Sequence, residues 1–176
     1  MKKIIIIAIS LLLAALALIS CSGDGDKSSN ITPFVPGSSS GEEKSEKSVM
    51  RAFYGASTLS VMPGDKYGSL DADEYTVTQS GGSFVLYNSF QNIELTLTGS
   101  QELEKCAVSA VRCSSPYFAF SGITVGDSAS DAESAFTSLG LEKSSKSGAD
   151  IYSYGNFSVT LGTNDGDIEY ILIKLS

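Results

Sequence analysis

Catalysis needs side chains that take up a proton, attack a substrate or hold a metal, and this chain is short of them. Its 176 residues include no histidine. That removes the usual general base near neutral pH, every Ser-His or Cys-His nucleophile pair, and most zinc and copper sites. Carboxylates alone remain for acid–base work. Asp71, Asp73 and Glu74 lie close together in the chain. Glycoside hydrolysis would need two of them facing each other about 5–10 Å apart across a cleft. Asp165 and Asp167 flank Gly166, but a calcium loop needs many more oxygens in a fixed order, so this segment reads as a solvated turn. Lys105 and Arg112 are too sparse for an anion site. The chain is thus expected to be no enzyme, with no catalytic residue, no metal and no cofactor.

Three thiols remain as reactive groups. Cys106 and Cys113 lie in a run that reads as one strand. A strand places them ~23 Å apart at 3.3 Å per residue, beyond disulfide reach, and on opposite faces. Small buried thiols are expected. A bend between them would instead permit a bridge, and a reactive or intermolecular thiol is the third possibility.

Cys21 stands differently. Lys2 and Lys3 precede an apolar run from Ile4 to Ile19, interrupted only by Ser10. Sixteen residues are short for a membrane span and suit the core of a signal peptide. The run ends at Leu18-Ile19-Ser20-Cys21, which resembles a bacterial lipobox. That resemblance implies cleavage after Ser20 and a diacylglycerol thioether on Cys21. The chain would then be an extracytoplasmic lipoprotein, held on a cell membrane or an outer membrane by its N-terminal lipid. Ser22 is compatible with an outer membrane where the cell has one.

The elements that would position a surface follow. Residues 1–20 read as the signal peptide. Residues 21–48 read as the lipidated cysteine and a disordered tether, because Ile31, Phe34 and Val35 are its only large apolar residues and cannot offset the ordering entropy. As a coil it would span roughly 30 Å. Loss of Lys2 and Lys3 takes the formal charge from −8 to −10. Such a surface argues against nucleic acid and against direct docking on anionic lipid.

Residues 49–176 are enough for one core. At a constant offset of 64, Leu59-Ser60-Val61 falls on Ile123-Thr124-Val125, Ile93–Leu97 on Phe157–Leu161, and Cys106–Val111 on Tyr170–Leu175. We read this as a duplication, with a first unit at 49–115 and a second at 116–176. In the second, Ser128 is a good N-cap and Asp131 stands three residues on. Ala132, Ala135, Phe136 and Leu139 make a helical stripe that Gly140 ends. Strands at 151–154, 157–161 and 168–175 follow a polar loop. The first unit has strands at 75–78, 83–88, 92–98 and 106–113, and Pro63-Gly64-Asp65 opens a weaker helix. The expected class is α+β: two tandem units, each a short helical segment followed by an antiparallel three- to four-stranded meander, with the helices packed on one face of the sheet.

Gly122-Ile123-Thr124-Val125-Gly126-Asp127-Ser128, with Asp131-Ala132 and Ala135-Phe136, resembles the opening of the β-lactamase-inhibitor-protein-like unit. Outer-membrane assembly lipoproteins of the SmpA/OmlA type share that unit. The resemblance covers about 55 residues of the second half and only the strands of the first. It transfers no catalytic residue. It implies a helix layer on an antiparallel sheet, whose open face holds other proteins in relatives.

Tyr87, Tyr117, Phe118, Tyr152 and Tyr154, with Phe120, are candidates for an aromatic patch on that face, since Tyr gives contact area at low entropic cost. The alternative for each ring is a place in the core. The leading expectation is a non-enzymatic protein-binding or scaffold module of the cell envelope with an envelope protein as partner. The second is an accessory lipoprotein that binds a peptide or cell-wall fragment in an apolar pocket between the units.

Overall fold

The computed structural model describes residues 44–176. Cys21, the signal segment and most of the expected tether lie outside the described residues. Eight strands form one antiparallel sheet: β1 Thr76–Ser80, β2 Ser83–Asn88, β3 Ile93–Thr98, β4 Ala107–Cys113, β5 Glu142–Lys146, β6 Ala149–Tyr154, β7 Phe157–Asn164 and β8 Asp167–Leu175. Their spatial order is β1-β2-β3-β4-β8-β7-β6-β5. Among the described residues there are two α-helices, α1 Glu46–Tyr54 and α2 Ala129–Ser138.

This corrects the α+β expectation of two tandem helix-plus-meander units. The fold is mainly β, and one sheet runs through both halves. The halves meet strand to strand, with Val111 opposite Ile173 and Cys113 opposite Ile171. Both flanking strands are apolar on the core face, so pairing them continues the hydrogen-bond ladder and buries two edges at once.

The first expected helix fails for a local reason. Two turns of the same build precede the two regions. In each, glycine takes φ +99° at Gly64 and at Gly126. Met62 N–H donates to Asp65 Oδ2 at 2.8 Å, and Thr124 N–H donates to Asp127 Oδ2 at 2.7 Å. Gly64 N–H donates to Val108 O and Gly126 N–H to Ile168 O, both at 2.8 Å. After Asp127 comes Ser128, whose hydroxyl accepts from Asp131 N–H and caps α2. After Asp65 comes Lys66, which makes no side-chain cap. With Gly68 inside and no apolar stripe, the chain there makes only short 3-10 turns at Tyr67–Ser69 and Ala72–Glu74.

A helix forms instead where a tether was expected to end. Ser45 caps it by accepting from Ser48 N–H, and Gly55 stops it at φ +50°. Val49, Met50, Phe53 and Tyr54 are its buried side. The order therefore begins upstream of the boundary expected at residue 49. Phe53 stacks on Phe120 at 5.4 Å and meets Phe136 and Phe157 edge-on at 5.0 and 5.6 Å. This ring cluster fixes both helices to the face carrying Leu86, Leu95, Val111, Val159 and Ile173.

β5 was expected to be a polar loop. Its sequence, Glu142-Lys143-Ser144-Ser145-Lys146, is exposed throughout, as an edge strand protected by lysine is. Only its pairing with β6 reveals it.

Candidate functional site

The outer face of the sheet is the surface left by this packing. Opposed residues share a face, so the register lays Tyr87, Glu94, Arg112, Leu172, Thr160 and Ile151 in one row across it. A second row holds Val85, Thr96, Ala110, Lys174 and Ser158. The Arg112 guanidinium carbon lies 4.0 Å from the centroid of the Tyr170 ring. Tyr170 in turn stands opposite Gly162, where a Cβ would fall inside the ring. The glycine lets the aromatic lie close over the backbone, and the cation–π contact orients the guanidinium.

The expected aromatic patch is split. Tyr87 is on the outer face and 40% exposed. Tyr117 is 84% exposed, on the loop after β4. Tyr152 and Phe118 are corrections: both are buried, as is Phe120. Tyr152 packs edge-on against Phe136 at 5.2 Å, because its strand position faces the helices. Tyr154 is half-buried on the same side, and its hydroxyl donates to Lys44 O at 2.6 Å. Arg112, Tyr170 and Phe90 were not anticipated. An isolated glycine inside the β7 pattern was the available signal for Tyr170.

The two thiols are free and buried, at 1% and 0% exposure for Cys106 and Cys113. Contrary to expectation they share the core face. Ala110 opposes Thr96 and Val108 opposes Leu97, so Ser109 is an extra residue in β4. That bulge restores the inward direction for Val108 and Cys106. β8 repeats the device, with Gly162 opposite Tyr170, Thr163 opposite Ile168, and Glu169 extra. Burial pushes the Cys113 thiol above its ordinary value, with the bond to Ser115 O acting the other way.

Asp71 and Glu74 line a cavity of about 360 Å³ with Asp65, Tyr75, Gln91 and Phe118. The Glu74 carboxylate accepts from Asn88 at 3.5 Å. Burial, then Glu74 and Asp71, raise the Tyr75 hydroxyl above its usual range. A second cavity of about 420 Å³ lies between α1, Met62–Asp65 and Leu175. Near β5, Lys143 bridges Glu133 at 2.6 Å and Asp150 at 3.0 Å. The bonds to Glu133 and Asp150 hold its ammonium above the ordinary value. Hydrogen bonds from Ser145 and Lys143 hold the Asp150 carboxyl below its own. Its chemistry is that of an ion-pair clasp over the Tyr152 ring, 5.9 Å away. Among the described residues no group of acids, cysteines or histidines is arranged to hold a metal, and no helix is long and apolar enough to cross a membrane.

No family model, no curated protein and no solved structure matches this chain.

Proposed function

We propose that the chain is a lipid-anchored extracytoplasmic lipoprotein whose folded part is a non-enzymatic protein-binding or scaffold module of the cell envelope. The observation that carries the binding half is the outer sheet face. Two helices cover one side, and the other presents Tyr87, Arg112, Tyr170, Leu172 and Ile151 on a rigid ladder. Tyr and Arg are the residues that interface centres favour, and here their positions are set by strand register rather than by loops. The anchoring half rests on Leu18–Cys21. The absence of histidine from the whole chain supports the non-enzymatic reading.

The halves are joined by backbone pairing between β4 and β8. A ligand pocket between them therefore has less support than a binding face.

Photo-cross-linkers placed singly at Arg112, Leu172 and Thr160 in cells test the binding half. The expected result is one discrete adduct shared by these positions and absent when the linker sits at Ser145 on the other side. Adducts of no fixed size, or none, would sink it. Mass spectrometry of the mature N-terminus tests the anchor: a diacylglycerol mass on Cys21, lost in Cys21→Ser, is expected.

A further inference from the structure

One end of the sheet differs in character from the rest of this acidic chain. Phe90, in the β2–β3 turn, is 95% exposed, and Tyr117 is 84% exposed. The two loops are tied together. Asn92 donates from its carboxamide to Ser114 O at 2.9 Å, and Ser114 N–H returns to Asn92 O at 3.0 Å.

Neither ring is exposed through slack. The Asn88 carboxamide oxygen accepts from Phe90 N–H at 3.1 Å and from Gln91 N–H at 2.9 Å. The Ser115 hydroxyl accepts from Tyr117 N–H at 3.3 Å. Asn88 and Ser115 are the two buried polar residues of the described chain, and each is spent on holding one of these loops.

The two segments also carry no charge of their own. From Tyr75 to Ile93, and again from Cys113 to Gly126, there is no Asp, Glu, Lys or Arg. Both runs meet at this tip.

We propose that Phe90 and Tyr117 enter the headgroup region of the bilayer to which the chain is anchored, and so set the orientation of the domain; this rests on the lipid-anchor reading. A lipid surface fits better than a protein. Two rings offer roughly 150–250 Å² each, well short of the ~800 Å² per partner of a stable protein interface. A domain already tethered needs far less, because tethering supplies a high effective concentration. Phe and Tyr on segments that carry no charge of their own suit the membrane–water boundary, with Asp71 and Glu74 set behind them on the cavity that Gln91 and Phe118 line. The net negative charge selects a zwitterionic rather than an anionic surface. Cys21 stands 24 residues before the Ser45 cap, at most roughly 80 Å of extended chain.

The test uses the lipidated chain in phosphatidylcholine nanodiscs doped with a headgroup nitroxide lipid, read by backbone-amide relaxation. Amides of 89–92 and 115–118 are expected to broaden several-fold more than those of β5. The double variant Phe90→Ser, Tyr117→Ser should lose that contrast while staying on the disc, and its core is untouched because both rings are exposed. Even broadening of tip and β5 in a protein that stays on the disc overturns the tip alone. Protein that leaves the disc overturns the tip and the anchor together.

Discussion

The ring of Tyr170 lies over Gly162, its partner across β7 and β8. The contact joins an aromatic that would otherwise stand in water to a backbone that no side chain covers. It also fixes the ring beneath Arg112. Gly162→Ala must push the ring aside and release the guanidinium. The expected cost is about 1–3 kcal/mol, the range for forcing extra atoms into a packed site. In a double-mutant cycle with Tyr170→Ala the second substitution should recover part of that loss. Additive costs in urea denaturation would show that the two residues are independent.

Tyr54 carries a hydroxyl that is buried and without a hydrogen-bond partner among the described residues. Desolvation, with smaller contributions from Asp65 and Cys113, raises its ionisation far above the ordinary phenol value near 10. The unfolded chain ionises at that ordinary value and the folded chain does not. Stability is therefore held below about pH 10 and falls as pH rises beyond it. Tyr54→Phe removes an unpaired polar atom, so it should stabilise by about 1 kcal/mol. It should also lessen the alkaline loss, with Tyr152 retaining its share because its hydroxyl is raised chiefly by burial too. A variant less stable than the parent at pH 7 would mean the hydroxyl is bonded.

Asp127 accepts from both Thr124 N–H and Thr124 Oγ1, at 2.7 and 2.9 Å. Asp65 accepts from Met62 N–H. Asp127→Ala leaves a turn amide unpaired and should cost about 2 kcal/mol, with Asp65→Ala nearer 1 kcal/mol. Asp127→Asn keeps an acceptor and should fall between Asp127→Ala and the parent. The urea midpoint should move at constant m. A change in cross-linking at Arg112 or Leu172 without a change in midpoint would instead place these carboxylates in the binding surface.

Much of the sheet was legible because apolar residues alternate in β3 and β7 and run together in β2 and β8, and turn residues separate the strands. The Ser128 cap and the Gly140 stop of α2 were legible for the same local reason. The offset of 64 was not a true register. The two Gly-Asp turns are 62 residues apart, from Asp65 to Asp127, and the inward residues after the bulges are 60 apart, from Val111 to Ile171. A period-two pattern matches equally well at any even shift, so alternation alone could not separate these values. β5 has no apolar pattern to read, since it lies at an edge. The α1 helix was hidden because its N-terminal half is charged and its apolar residues begin only at Val49. Of the aromatic candidates, Tyr87 stands on the outer face and Tyr117 on the loop after β4. Tyr152 and Phe118 are buried, which was not legible because composition does not say which way a strand faces.

The last prediction concerns that facing. Cys106 and Cys113 both point into the core only because Ser109 is an extra residue between them. Its hydroxyl donates to Thr96 O at 3.0 Å, on the strand the bulge opposes. Plain alternation would turn Cys106 and Val108, now 1% and 2% exposed, to the outer face. In the chain from residue 22 onward, a thiol reagent should find no reactive cysteine in the native state and two in denaturant. Burial lowers the thiolate fraction of Cys113 further. Deletion of Ser109 leaves the two cysteines six residues apart, and plain alternation then turns both inward without a bulge. The variant loses the Ser109 hydrogen bond to Thr96 O, which should cost about 1 kcal/mol. If the shortened strand folds in this register, both thiols stay protected in the native state. A reactive Cys106 in a folded deletion variant would show that Ser109 is not the residue that sets their common direction.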